Sequence, residues 1–104
     1  MIILFIGIMT DLKKIEKIIE NNRTTLREKF NVKSIGVFGS YSKRSHTRES
    51  DIDILVEFNG PVGWKFFGLK DYLEKILGKK VDLATKNSLR EEMKQNILDD
   101  VVYI

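Results

Sequence analysis

The stretch GSYSKRSHTRESDID, from Gly39 to Asp53, is the most informative part of this 104-residue chain. A glycine and a serine follow the apolar run 35–38 directly, and two aspartates one residue apart open the next apolar run. Like charges on one face of a strand repel each other, so folding alone gives no reason for this pair. The arrangement therefore indicates a ligand that compensates the charge.

The segment from Asp51 to Phe58 alternates as a half-buried strand does, with one wholly apolar face formed by Ile52, Ile54, Val56 and Phe58. The other face carries Asp51, Asp53, Leu55 and Glu57. This alternation puts Asp51 and Asp53 on one outer face, about 7 Å apart. The sequence Val81-Asp82-Leu83 repeats the design, with Asp82 turned away from its apolar neighbours. If the two strands are neighbours, three carboxylates converge. Two divalent ions are the usual compensation for such a cluster in enzymes of phosphoryl transfer.

Gly39 and Ser40 form the other half of a predicted phosphate site. A glycine lets the backbone approach a ligand closely, and the amides of a following helical turn can donate hydrogen bonds to a triphosphate, together with the Ser40 hydroxyl. Lys43 and Arg44 add positive charge beside the pair, either for phosphate contact or as solvated side chains. The pair and the strand aspartates together predict a nucleotide site, which neither motif predicts alone.

The composition limits the metals and partners that are possible. The chain has 42% hydrophobic and 32% charged residues, so we predict a single domain over residues 1–104. It has no cysteine and only one histidine, so a metal would be held by oxygen ligands, which favours magnesium or manganese. A net charge of +3 suits a nucleotide but is too small to predict a nucleic-acid partner.

The N-terminal segment 1–8 is apolar but does not form a targeting signal. A membrane helix needs about 20 residues, and the segment lacks the basic start and the cleavage site of a signal peptide. Two interpretations stay open: an edge strand or tail, or a leader added by an upstream start codon when Met9 is the true start. We expect no membrane association and a cytoplasmic location.

Periodicity predicts an α/β (α+β) domain with a small three-stranded mixed β-sheet covered by helices. A loop or short helix follows Gly39. The predicted elements, in order, are a helix over Asp11–Lys29 behind the N-cap Thr10, a strand over Val32–Phe38, a strand over Asp51–Phe58, a helix over Trp64–Leu77, a strand over Lys80–Thr85 and a last helix opened by a capping box at Ser88–Glu91.

The longer stretch GSYSKRSHTRESDIDILVEF resembles the signature of nucleotidyltransferases with the DNA polymerase beta-like palm fold. The short chain is similar to their minimal nucleotidyltransferase branch, and the likeness runs from Met9 to the closing VVYI. Members of that branch are typically encoded beside a HEPN-domain protein. Characterised members are antitoxins that attach AMP to this partner.

The resemblance assigns roles by position. It implies that Gly39 and Ser40 bind phosphate, that Asp51 and Asp53 bind metal, and that Asp82 is the third carboxylate of a catalytic set. The branch commonly reads Arg-Gly after its aromatic and small residues. This chain instead has Lys43, which keeps the charge for nucleotide binding, followed by Arg44.

The resemblance and the residues together predict a magnesium-dependent nucleotidyltransferase, with two ions and with manganese as a substitute. It would transfer AMP from ATP to a hydroxyl, for which the family suggests a tyrosine of the HEPN toxin. The alternative is a non-catalytic module that neutralises the toxin by binding it. Trp64, Phe66 and Phe67 are either core residues or a partner surface, and His46 is interpreted as a solvent-exposed loop residue.

Overall fold

Two consecutive helices precede the sheet in the computed structural model, which describes residues 10–104. They are α1 (Asp11–Asn21) and α2 (Arg23–Phe30). The Thr10 side chain accepts a hydrogen bond from the Lys13 amide at 3.2 Å, which confirms the predicted N-cap. The prediction of an edge strand, tail or misplaced start at residues 1–8 lies outside the described residues.

The prediction of one continuous helix over Asp11–Lys29 is wrong, because the chain breaks at Asn22. The Asn22 side-chain amide donates to the Ile18 carbonyl at 2.7 Å, and its oxygen accepts from the Tyr72 hydroxyl at 2.6 Å. A short polar side chain that bonds to nearby backbone competes with the helical ladder. The chain therefore forms two helices, which meet at Asn22.

The sheet is mixed, as predicted, but residues 10–104 contribute four strands to it where three were expected. The strands are β1 (Val32–Phe38), β2 (Ile52–Phe58), β3 (Val81–Ala84) and β4 (Val102–Tyr103), in the spatial order β3-β2-β1-β4. β1 pairs antiparallel with β2 and β4, and β2 pairs parallel with β3. The sequence did not predict β4, because a two-residue strand is too short for its alternation to be recognised.

The remaining helices connect and flank the strands. They are the short α3 (Gly39–Ser42), α4 (Lys65–Leu77), a 3-10 turn (Lys86–Ser88) and α5 (Glu91–Asp100). α4 agrees with the predicted helix Trp64–Leu77 to within one residue. The capping box predicted at Ser88–Glu91 is wrong. The Ser88 hydroxyl instead donates to the Thr85 carbonyl at 2.8 Å, and α5 begins after Arg90, where the described part of the chain supplies no side-chain cap.

One face of the sheet packs on α1, α2 and α4 and forms the hydrophobic core. Burial of this apolar surface is the main force that holds the fold together. The most completely buried side chains are Ile19, Leu26, Ile35, Val37, Ile52, Ile54, Val56, Leu69 and Leu73. α5 contacts α3 and β1. Within residues 10–104, no helix is both long and apolar enough to cross a membrane.

Candidate active site

The predicted site residues lie at one end of the strands, where β1 ends and both β2 and β3 begin. The register places Phe38 opposite Asp53 on the antiparallel side. On the parallel side, Asp53 is opposite Asp82. The two strands that carry the aspartates are therefore neighbours, as the convergence of carboxylates requires. Asp51 is exposed and stands one residue before β2.

Asp82 has the orientation that its neighbours predicted. Val81 is 3% exposed and Leu83 is 8% exposed, and both belong to the core, whereas Asp82 is exposed. Side chains on successive residues of a strand point to opposite faces. Asp82 therefore lies on the same face of the sheet as Asp53, its neighbour in the register.

The Asp53 carboxyl is destabilised as an anion. Partial burial, followed by the negative charges of Asp82 and Asp51, raises the pKa of Asp53 from 3.8 to about 6. A proton on Asp53, or a cation bound beside it, would relieve this repulsion.

Gly39 joins the phosphate segment to this carboxyl pair. It has a φ of +70°, and a Cβ atom built on it would collide with the Asp53 carboxylate oxygen Oδ2. Glycine adopts a positive φ readily, and here it also leaves room for the neighbouring carboxylate. Glycine is therefore favoured at position 39 for two reasons. It adopts the positive φ readily, and its lack of a side chain leaves room for the Asp53 carboxylate.

The neighbouring predicted phosphate ligands differ in their contacts. Ser40 is half-buried at the start of α3, whereas the Ser42 hydroxyl donates a hydrogen bond to the Gly39 carbonyl at 2.9 Å. Lys43 extends toward the end of α5, where its Nζ lies 3.3 Å from Asp100 Oδ2. Arg44 has a φ of +58°, the left-handed conformation that glycine favours. The loop thus keeps a glycine-like backbone at the position where the branch has glycine.

Asp53 and Asp82 fit the chemistry of a hard divalent cation. Two facing carboxylates are oxygen ligands, and their repulsion is relieved by a positive ion. Asp51 acts on Asp53 through its charge. Among the described residues 10–104, no three side chains of the metal-binding types are placed so that they already enclose an ion. The assignment of Asp51, Asp53 and Asp82 as a metal set stays a prediction.

His46 is not the solvent-exposed loop residue that the sequence suggested. Its side chain is 20% exposed, and its Nε2 lies 2.6 Å from Asp11 Oδ2. The ring stacks on Tyr41 with centroids 4.0 Å apart, and Asp11 has a lowered pKa, chiefly through its hydrogen bond with His46. Asp11 and His46 are far apart in the sequence, so no local pattern could have predicted this contact.

The three aromatic residues Trp64, Phe66 and Phe67 were predicted to be either core or partner surface, and the structure divides them between the core and the exposed surface. Trp64 is 88% exposed and Phe67 is 61% exposed, whereas Phe66 is partly buried and packs against the core. Large exposed aromatic side chains are enriched at protein interfaces. Trp64 and Phe67 therefore form an apolar surface patch, and Phe66 anchors it to the fold.

Comparison with known sequences identifies the family. The nucleotidyltransferase domain family matches residues 12–104. A proposed protein adenylyltransferase of Methanocaldococcus jannaschii is 45% identical over 100 residues, which cover 92% of this chain and 100% of that relative. The protein adenylyltransferase MntA of Thermococcus cleftensis is 44% identical over 97 residues, which cover 92% of this chain and 98% of that relative.

Solved structures show the same fold. A proposed minimal nucleotidyltransferase superposes with a TM-score of 0.69 at 24% identity and covers 91% of this chain and 96% of its own. A toxin–antitoxin structure with AMP-PNP has a TM-score of 0.63 at 28% identity, and the match covers 81% of this chain and 70% of that structure's chain. An MNT antitoxin in complex with a tri-AMPylated HEPN toxin of Shewanella oneidensis has a TM-score of 0.54 at 24% identity, and the match covers 89% of this chain and 67% of that structure's chain.

The predicted minimal nucleotidyltransferase fold is confirmed. The chain therefore belongs to the nucleotidyltransferase domain family, within the minimal nucleotidyltransferase branch that includes MntA, and it is an enzyme of that family.

Proposed function

We propose that this enzyme is a magnesium-dependent protein adenylyltransferase that moves AMP from ATP to a tyrosine hydroxyl of a HEPN-domain toxin and thereby acts as its antitoxin. The observation that carries the proposal is the facing pair of Asp53 and Asp82 against Gly39. The relatives named as protein adenylyltransferases support the reaction, and the similar toxin–antitoxin complex with AMP-PNP supports a nucleotide substrate. The complex of an MNT antitoxin with an AMPylated HEPN toxin suggests the partner.

Magnesium would be held by the carboxylates of Asp51, Asp53 and Asp82, with manganese as a substitute. A divalent ion bound there would neutralise charge on the triphosphate during transfer. The raised pKa of Asp53, about 6, also means that the proton must leave before a cation can bind. Metal affinity should therefore increase as the pH rises through this value.

The chain's own groups supply positioning and proton transfer. The Ser40 hydroxyl and the backbone near Gly39 would hold the phosphates at the end of β1, facing the carboxylates. The acceptor oxygen attacks the α-phosphorus of ATP, the bond from that phosphorus to the bridging oxygen breaks, and pyrophosphate leaves with the bond electrons. Asp82, the exposed carboxylate beside Asp53, would receive the hydroxyl proton.

A second candidate function is neutralisation of the toxin by binding alone. The patch of Trp64 and Phe67, which are 88% and 61% exposed, favours it because exposed aromatic side chains often mark protein-binding surfaces. A binder has no use for a facing carboxylate pair that raises the pKa of Asp53, so the catalytic proposal explains more of the structure. Both functions can share the patch as a docking surface.

Transfer of label from ATP to the partner tests the proposal. The enzyme would be incubated with ATP labelled in its α-phosphate, magnesium and a HEPN-domain partner. We expect labelled partner, no label without a divalent ion, and a loss of orders of magnitude in the double variant Asp51→Asn, Asp53→Asn. Asp71→Asn, an exposed aspartate on α4, is the matched control and should keep full activity. Transfer that persists in the double variant would refute the assigned site.

A further inference from the structure

A cavity of about 490 Å³ lies near the candidate active site but on the opposite face of the sheet. Its walls come from α1, the loop between α3 and β2, and the turn between α4 and β3. Ile52 lines the cavity, and because side chains alternate along a strand, the adjacent Asp53 points to the other face. The cavity is therefore separate from the carboxylate pair.

The lining combines an apolar floor with basic side chains. The floor consists of Ile15, Ile18, Ile52 and Leu77. Lys14, Arg48 and Lys79 line the same space, and Asp11 is the one carboxylate among the described residues that line it. Asp11 is already engaged, by His46 at 2.6 Å and by Lys14 at 3.9 Å. Within residues 10–104, Arg48 forms no ion pair. The cavity thus carries excess positive charge.

His46 forms part of the cavity wall. Its Nε2 contacts Asp11, but its Nδ1 is buried and has no hydrogen-bond partner among the described residues. The ring is fixed by stacking on Tyr41, and Lys79 Nζ lies 5.8 Å from the centroid of the Tyr41 ring. The Asp11 contact and the Tyr41 stacking therefore hold the His46 ring in the cavity wall, so its resonances report on the cavity.

We propose that this cavity binds a small organic phosphate. Its phosphate would lie among Lys14, Arg48 and Lys79, and its apolar part would cover the floor. Cations recognise phosphate oxygens through charge-assisted hydrogen bonds, and an apolar floor selects a ligand with an organic part over a bare ion. The cavity volume of about 490 Å³ falls within the range of small-molecule sites, roughly 300–1,000 Å³.

The single histidine of the chain gives a direct readout, because its ring-proton resonances belong to the cavity wall alone. The full chain in EDTA would be titrated by NMR with AMP, with phenyl phosphate and with inorganic phosphate. We expect saturable shifts of the His46 resonances with an organic phosphate, and binding of inorganic phosphate at least about tenfold weaker. Tighter binding of AMP would identify a nucleotide, and tighter binding of phenyl phosphate a simpler ester; either result supports the site.

Variants separate this site from the carboxylate site and from general surface charge. Arg48→Gln and Lys14→Gln should each weaken binding about tenfold, since each removes a charge-assisted contact. Lys33→Gln is the matched control, because Lys33 is an exposed lysine on β1 outside the cavity. Asp53→Asn should also leave binding unchanged. Absence of a saturable shift, equal affinity for inorganic phosphate, or an equal loss in Lys33→Gln would overturn the proposal.

Discussion

Asp53 is the residue at which stability and the proposed chemistry conflict most directly. Its pKa is raised from 3.8 to about 6, so the native state holds a proton more tightly than the unfolded chain. Native stability is therefore greatest below about pH 4 with respect to this group, falls as the pH rises through 6, and is lowest above it. The conflict is relieved when a cation replaces the proton, because the charged form is then favoured.

Asp53→Asn should stabilise the metal-free protein at pH 8 and have little effect near pH 4. The amide removes the charge that Asp82 and Asp51 oppose. Because the site is partly open to solvent, we expect only about 1 kcal/mol after discounting for screening. Thermal melts in EDTA at the two pH values measure this effect, with Asp71→Asn as the control. A destabilised variant at pH 8 would contradict the electrostatic interpretation and make Asp53 a structural residue.

Gly39→Ala and Gly78→Ala should lose similar stability but differ in activity. Their φ values are +70° and +68°, so both variants incur the left-handed penalty of about 1 kcal/mol. A Cβ at position 39 meets the Asp53 carboxylate, whereas a Cβ at position 78 meets no heavy atom within 4 Å among the described residues beyond its chain neighbours. We therefore expect Gly39→Ala to lose transfer because Asp53 is displaced, while Gly78→Ala keeps it. Equal activity of the two, measured at equal folded fraction, would contradict the role of this contact.

At the scale of secondary-structure elements, local sequence patterns correctly predicted which face of its strand an aspartate lies on, because local backbone geometry determines it. The alternation around Asp53 and Asp82 fixed their faces, because side-chain direction along a strand is set by the pleat. The parallel register that makes them neighbours, and the Asp11–His46 contact, depend on tertiary packing. The break at Asn22 also depends on a distant residue, the Tyr72 hydroxyl on α4. The residues in each of these contacts are too far apart in the sequence for a local pattern to contain both.

The pairing of β4 with β1 also depends on tertiary contacts that local sequence does not show, and a substitution at Gly36 tests it. A Cβ on Gly36 would meet the Val101 side chain at 2.5 Å and the Val102 carbonyl oxygen at 3.0 Å, so β1 accepts β4 only with glycine there. Gly36→Val should therefore detach β4 while the other strands persist. Amide exchange measures this through the Ile104 amide, which donates to the Ile35 carbonyl at 2.9 Å.

The expected result is fast exchange at Ile104 in Gly36→Val and slow exchange in a control, Ser34→Val. Ser34 lies on the same strand, outside the β4 register. Protection of Ile104 in both variants would mean that the backbone adjusts to the added side chain. Loss of protection in both would mean that the contact is not specific to Gly36.

At the scale of the whole molecule, the carboxylate site and the aromatic patch have different requirements. The proposed catalysis would need Asp53, Asp82 and the Gly39 turn in register, together with the acceptor hydroxyl of the proposed partner. Binding needs only an exposed surface such as Trp64 and Phe67. The two functions therefore predict different stoichiometries, because one enzyme molecule can modify many partners whereas a binder occupies one.

The intact mass of the HEPN partner is the measurement that tests the catalytic function most directly. The partner would be incubated with a small molar fraction of this enzyme, ATP and magnesium. We predict that the whole partner population gains the mass of one or more AMP groups over time, that its toxic activity falls in parallel, and that both changes are lost with Asp53→Asn. A partner that is silenced only at equal amounts, without ATP and without a change in mass, would contradict catalysis and leave the fold as a binding module.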